Sequence, residues 1–478
     1  MIQPVGMGCT SKTERVSIFN FQFSGVGILE NFFDKYINTV NRIEPIKYTG
    51  SVTGVKGLLI ESNGPRSVIG EICSIHIPSQ NTSILAEVVG FEGKTVKLTP
   101  YGDTKGIECG CVVVASGHVL EVPVGDHLLG RVIDATGKAL DGKGDIAAQE
   151  YYPAIASPPN PMKRKPIDRR IVTGVRAIDG LLAAGKGQRL GIFAGSGVGK
   201  STLLSTIARN TSADINVIAL IGERGREVLD FIERDLGEEG LKRSVVIVAT
   251  SDTPSICRLR AAYVATAIAE YFRDQSKDVM LLFDSVTRFA HAQREIGLAN
   301  GEPPAQRGYP PSVFDMLPKL LERTGTNDKG SITAFYTVLV DGGDMDEPIA
   351  DKVRGTLDGH IVLSRELAAK QHYPAIDMLT SISRLSGRVS GENTKKAVQR
   401  VRRWISTYAE QEDYITAGVY QKGNNLETDE AIDHHQAVEE FLCQEQNAHL
   451  SIEDTLTKLS EVSGIEISQE EFVENPNS

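Results

Sequence analysis

The chain has 478 residues, 41% hydrophobic and 24% charged, with a net charge of -11 and a pI near 5.5. That length holds two or three domains, and the composition is ordinary for a globular protein. The acidic balance excludes a chain built mainly to track nucleic acid, and no apolar run approaches the roughly 20 residues that span a bilayer.

The N-terminus has no charged start followed by an apolar core, so the expected location is the cytoplasm. Within residues 1–45, Leu29, Phe32, Phe33, Tyr36, Ile37 and Val40 recur at helical spacing and predict an amphipathic helix. Lys12, Arg15, Lys35 and Arg42 are balanced by Glu14, Glu30, Asp34 and Glu44, which favours a partner or core contact over a membrane-surface helix. From about Gly50 to Val122, short β-branched runs cut by Gly, Asn and Pro predict a small antiparallel barrel. In YYPAIASPPNPMKRKPIDRR, five prolines deny the backbone helical hydrogen bonds and predict a linker over residues 151–170. From about Ile171 to Arg384, apolar runs alternate with helical stretches. INVIALIG, SVVIVATS, VMLLFDS and SITAFYTVLV read as strands of a mainly parallel sheet buried on both faces. Beyond Gly391, Val398, Val401, Trp404, Ile405 and Tyr408 share one helix face. The expected fold is therefore α/β at its centre. It comprises an N-terminal extension over 1–48, a β-barrel over 49–124, a P-loop ATPase domain over 125–390 and a helical domain over 391–478. Six cysteines are scattered, and the Cys109 and Cys111 spacing fits no standard zinc pattern, so they read as small buried thiols.

The stretch GIFAGSGVGKSTLL carries the chemistry. Glycines at 195, 197 and 199 let a turn adopt angles other residues avoid, so that its amides and the following helix N-terminus can meet phosphate oxygens. Residues Ala194, Gly195, Ser196, Gly197, Val198, Gly199, Lys200, Ser201 and Thr202 form this cradle. Ala194 stands where the strict phosphate-loop pattern has its first glycine. Lys200 is placed to reach the terminal phosphates and Ser201 to ligate magnesium. Asp284, at the end of VMLLFD, is a magnesium-side carboxylate or else a helix cap. Glu223, in GERGRE after INVIALI, falls at the same sheet edge and is a candidate for orienting water.

Together, GSGVGKSTLL, IGERGREVLDF, LLFDSVTRFAHAQREI, GEPPAQRGYPPSVFDMLPKLLERTG, DGHIVLSRELA and HYPAIDMLTSISR resemble the catalytic subunits of rotary ATPases, and most closely the export ATPases of bacterial flagella and type III secretion systems. The resemblance runs from about Gly50 to about Phe441. It implies an ATP-hydrolysing homohexamer that uses Mg2+, energises protein export and releases substrates from chaperones. Its implied partners are a coiled-coil stalk, a peripheral stator-like regulator and a membrane export gate, at the inner face of the cytoplasmic membrane, with no nucleic acid. Position by position, Lys200 and Ser201 match the triphosphate and magnesium residues and Glu223 the glutamate that activates water. Arg224 and Arg288 match arginines near the terminal phosphate, Tyr373 the aromatic that stacks on adenine, and Arg384 the arginine that reaches across a subunit boundary. One chain carrying both site and finger implies a head-to-tail ring. The acidic VDGGDMDEPIADKVR, residues 340–354, resembles the loop that faces the central pore, where it would repel a nucleic-acid strand.

Other readings make different demands. A rotary synthase or proton-pump subunit calls for an acidic DELSEED-like lever that the C-terminal region lacks. A terminator-type RNA or DNA translocase calls for a basic pore. A noncatalytic subunit would lack Glu223. Between flagellar and virulence-type export, GKTVKLTPYGDTKGI and VGDHLLGRVIDATGKALDGKG resemble the flagellar branch. Residues 1–45 follow no pattern of the family, where this region recruits the regulator and touches the membrane.

Overall fold

The structure is a computed structural model that describes residues 47–340 and 343–476. The amphipathic helix expected within residues 29–40 and the acidic-loop residue Asp341 lie outside these residues.

The barrel is built from β1 (Thr49–Lys56), β2 (Leu59–Asn63), β3 (Glu71–Ile77), β4 (Thr82–Glu92), β5 (Thr95–Pro100) and β6 (Val112–Val119). The strands close in the order β1-β2-β5-β4-β3-β6. Side chains alternate across each strand, so Cys73 and Ile75, Ala86 and Val88, and Val96 and Leu98 fill the interior. Cys73 and Cys111 are buried as expected, whereas Cys109 is exposed, its thiol donating to the Thr53 carbonyl at 3.3 Å.

The central sheet contains β7 (Val132–Ile133), β8 (Arg189–Ala194), β9 (Ile215–Ile221), β10 (Ser244–Ala249), β11 (Asp278–Asp284), β12 (Ser331–Leu339), β13 (Gly359–Leu363) and β14 (Ile376–Ser383). Its order is β14-β13-β8-β12-β11-β9-β10-β7, with the short strand Gly325–Thr326 paired beside β12. All neighbours along this order are parallel except β14, which runs antiparallel to β13. The four apolar runs of the sequence are β9 to β12. Every residue of β9 and β10 is buried, because helices cover both faces. Those helices include α1 (Lys200–Asn210), α2 (Ser255–Asp274) and α3 (Val286–Ala299).

The Pro-rich stretch 151–170 contains no α-helix, as its prolines require, yet it is tied down. Glu150–Pro153 pairs antiparallel with Glu121–Val124, Arg170–Ile171 pairs with Ala184–Gly185, and Arg164 donates to the Thr324 carbonyl at 2.7 Å. The C-terminal region folds as α4 (Glu392–Thr416), α5 (Leu426–Leu442) and α6 (Ile452–Ser463). The predicted face of α4 is the buried one: Val401 and Trp404 are in the core, with Val398, Ile405 and Tyr408 packed beside them. Rings from α4 stack flat on rings from α5, Trp404 on His434 at 4.0 Å and Tyr408 on His435 at 3.6 Å between centroids.

A buried polar knot joins the barrel to α2. Arg260 donates from Nε to Glu87 Oε2 at 2.7 Å and from a second nitrogen to Oε1, while Tyr101 Oη donates to Oε2 at 2.7 Å. Glu87 is 2% exposed and Arg260 8%, so removing one partner strands a desolvated charge. Glu87→Ala is expected to lower stability by about 3–5 kcal/mol. Chemical denaturation of the barrel and nucleotide domain measures this, and a loss below about 1 kcal/mol would contradict the fixed junction.

Candidate nucleotide site

The phosphate loop joins β8 to α1. Gly197 and Gly199 have φ of 80° and 89°, values that a Cβ makes costly. Gly195 answers to a neighbour: a Cβ there would lie 2.6 Å from the Arg365 Nε. Ser196 and Ser201 are exposed and Val198 is buried, so the loop is anchored from below and open above.

Three strand ends converge beneath it. Lys200, first residue of α1, places Nζ 2.6 Å from Asp284 Oδ1, the last residue of β11, and 3.4 Å from Glu223 Oε1, just past β9. Thr337 of β12 donates to the same Asp284 oxygen at 2.7 Å. Asp284 is 3% exposed. The helix-cap reading of Asp284 is overturned, because Ser285 is the N-cap of α3 and its hydroxyl accepts the Arg288 N–H at 3.3 Å. The Glu223 loop is fixed by its backbone: Gly222 donates to Ala249 at 2.6 Å, and Glu223 accepts from Ser251 at 2.9 Å.

Burial works against the Lys200 charge, but the nearby Asp284 and Glu223 outweigh it and raise its pKa. Burial and then the Asp284 charge push the Glu223 carboxyl above the ordinary carboxylate value, against the opposing pull of Lys200. A carboxylate so placed is a better base than an exposed one. Arg288 lies along the same loop, since a Cβ on Gly222 would come within 2.8 Å of the Arg288 Cβ. Its Nε is buried without a hydrogen-bond partner among the described residues, a donor suited to an oxyanion.

Two arginines lie elsewhere. Arg224 is not gathered into this cluster: its side chain is 82% exposed and pairs with Glu227 at 3.3 Å. GERGRE turns into a short helix at Gly225, which leaves Arg224 as the exposed N-cap. Arg384 is also exposed and follows β14, where its N–H donates to the Asp358 carbonyl at 3.1 Å. That is the opposite edge of the sheet from the phosphate loop.

Tyr373 does reach the site. Its ring sits beside Gly199, where a Cβ would find the Tyr373 Cε1 at 3.5 Å. A cavity of about 650 Å3 opens beside them, lined by Val175, Gly197, Gly199, Thr202, Tyr373 and Gln444 among others. The cavity wall from Val175 and from the Cys443–Gln446 segment is absent from the sequence reading. No local motif marks these residues, and the chain returns to the site only after α5. Arg365 was within reach, since it stands in DGHIVLSRELA.

This geometry can be set beside known proteins. Residues 52–117 match the ATP synthase alpha/beta family β-barrel domain, 174–383 the nucleotide-binding domain of that family, and 390–461 the T3SS EscN ATPase C-terminal domain. A flagellum-specific ATP synthase of Treponema pallidum (strain Nichols) is 60% identical over 435 residues, 91% of this chain and 97% of the relative. The chain belongs to the flagellar and type III secretion ATPase family.

A second member, the flagellum-specific ATP synthase of Bacillus subtilis (strain 168), is 54% identical over 90% of this chain and 98% of its own length. The structure of the assembled ATPase EscN in complex with its central stalk EscO, from the enteropathogenic E. coli (EPEC) type III secretion system, superposes with a TM-score of 0.81. It is 45% identical and covers 87% of this chain and 100% of that one. Membership makes the chain an ATPase with a barrel, an ATP synthase-type nucleotide-binding domain and a secretion-type helical domain. That last domain separates it from synthase subunits and from terminator-type translocases. Glu223→Gln is expected to retain ATP binding while phosphate release falls by about 10²–10⁴-fold. Equilibrium binding and single-turnover hydrolysis on one preparation measure this, and near-normal turnover would assign water activation to another residue.

Proposed function

We propose that this ATPase works as a homohexamer that energises flagellar protein export, with each active site shared between two chains. The placement of Arg384 carries the reading. It follows β14 beside Asp358, which in turn is hydrogen-bonded to Arg189 at the start of β8. The phosphate loop begins past Ala194 at the other end of β8. Five residues of strand, roughly 16 Å at about 3.3 Å each, lie between those levels, more than an arginine side chain spans. Arg384 is therefore unsuited to its own site and exposed for a neighbour's. There it would neutralise charge developing on the transferred phosphoryl group.

Within one chain, Lys200 and Arg288 would contact the terminal phosphate, Glu223 would orient and deprotonate water, and Tyr373 would stack on the base. Magnesium fits Ser201 and Asp284: one is exposed at the N-terminus of α1, the other stands beside Lys200. Among the described residues no three His, Cys, Asp or Glu side chains cluster to hold a metal by themselves, so magnesium here would also need phosphate oxygens. Bound there, it would supply charge to the phosphates during transfer. Arg224, next to Glu223 in the chain but turned to solvent, would enter the interface with the neighbour.

The identity to flagellum-specific relatives supports the flagellar branch. Among the described residues no helix is long and apolar enough to cross a membrane, and peripheral work at the cytoplasmic membrane accords with this. The acidic segment around Asp344, Asp346 and Asp351 would face the pore, where a coiled-coil stalk enters. The chaperones, cargo, regulator and export gate of the family complete this reading.

Sharing predicts complementation. Lys200→Ala and Arg384→Ala proteins, each inactive alone, are expected to regain part of the wild-type ATPase activity on mixing, because some interfaces pair an intact loop with an intact finger. Absence of recovery over a range of mixing ratios, with hexamers present, would contradict the shared site.

A further inference from the structure

Gln444 joins two segments that sequence separates widely. It follows α5, and its backbone N–H donates to the Tyr373 carbonyl at 2.8 Å. Its side chain crosses to the nucleotide domain, where Oε1 accepts the Arg176 N–H at 2.9 Å and Nε2 donates to the Gly174 carbonyl at 2.8 Å. A carboxamide offers an acceptor at one end and donors at the other, and here both ends are used.

The two segments held in this way both line the 650 Å3 cavity, one through Val175 and the other through Tyr373. Each is supported from behind. Asp179 accepts the Thr173 N–H at 2.9 Å and the Gly174 N–H at 2.8 Å, which shapes the loop that Gln444 grips. His372, next to Tyr373, is hydrogen-bonded through Nδ1 to Glu439 Oε2 on α5 at 3.0 Å. None of these bonds involves the phosphate loop or the Lys200, Glu223 and Asp284 cluster.

We propose that Gln444 is a positioning residue for the nucleotide base: by fixing the gap between Val175 and Tyr373, it makes base binding depend on docking of the C-terminal helical domain. This rests on the reading of Tyr373 as the base-stacking residue. The hold acts on the base end of the ligand and leaves the phosphate end untouched, so the two ends respond differently to its loss.

The test uses the full chain and two probes, magnesium ADP and magnesium tripolyphosphate, the second carrying phosphates but no base. Calorimetric titration of Gln444→Ala is expected to show ADP weakened about tenfold, with tripolyphosphate within about twofold of wild type. In steady state, KM for ATP is expected to rise while kcat stays within about threefold. Gln444→Leu keeps the side-chain volume without its hydrogen bonds, and it is expected to repeat the pattern even if the alanine variant folds poorly. Gln444→Glu keeps an acceptor for Arg176 but faces the Gly174 carbonyl with charge in place of a donor, and is expected to weaken ADP at least as much as alanine does. Unchanged ADP affinity, or equal loss of both probes, would overturn the positioning role. Tyr373→Ala separates the two readings. If it too leaves ADP unaffected, base stacking by Tyr373 has failed; if it weakens ADP selectively while Gln444→Ala does not, the positioning role alone has failed.

Discussion

The antiparallel direction of the edge strand β14 fixes which edge of the sheet Arg384 reaches. Parallel strands deliver their C-terminal ends to one edge of a sheet, and β8, β9 and β11 bring the phosphate loop, Glu223 and Asp284 there. β14 runs the other way beside β13, so the residue that follows it emerges at the far edge. On the proposed reading, one fold thereby separates the charge that binds phosphate from the charge that completes hydrolysis. Contact between chains would then be a condition of turnover and not an accessory to it.

The cluster at the near edge has an electrostatic economy of its own. Asp284 is almost wholly buried, and it is tolerable there because Lys200 and Thr337 both reach the same oxygen. Glu223 stands further from Lys200, and it retains the raised proton affinity that burial and Asp284 give it. Two carboxylates with unequal environments can divide the work, one tied to Lys200 and Thr337 by short hydrogen bonds and the other poised as a base. On the proposed reading, the base end of the ligand is governed separately, by a cavity lined partly by residues that follow α5. Motion of the helical domain would therefore act on nucleotide affinity before it acted on chemistry.

Much of this was legible in the amino-acid sequence where the relevant pattern is local. A Gly-rich turn between an apolar run and a helix placed Lys200 and Ser201. Strand ends placed Asp284 and Glu223 at one edge, because fully buried strands read as continuous apolar runs. A small antiparallel barrel was visible as short strands separated by turn residues, although its six strands were not. The exposure of Arg224 was not visible, since an arginine in a charged loop carries no signal of which way its side chain turns. Val175 and Gln444 were hidden for a different reason: they meet Tyr373 only after the chain has folded back through α4 and α5. Gln444 sits in a run of polar residues that looks like any solvated loop. The alternatives for Asp284 needed the structure too, because the neighbouring Ser285 supplies the cap.

Specific ATPase activity across a wide range of protein concentration, with mass photometry on the same samples, tests the shared site most directly. Activity per chain is expected to rise steeply as hexamers appear and to be near zero where monomers dominate. Monomers that hydrolyse ATP at the full per-chain rate, with activity flat across the range, would contradict it.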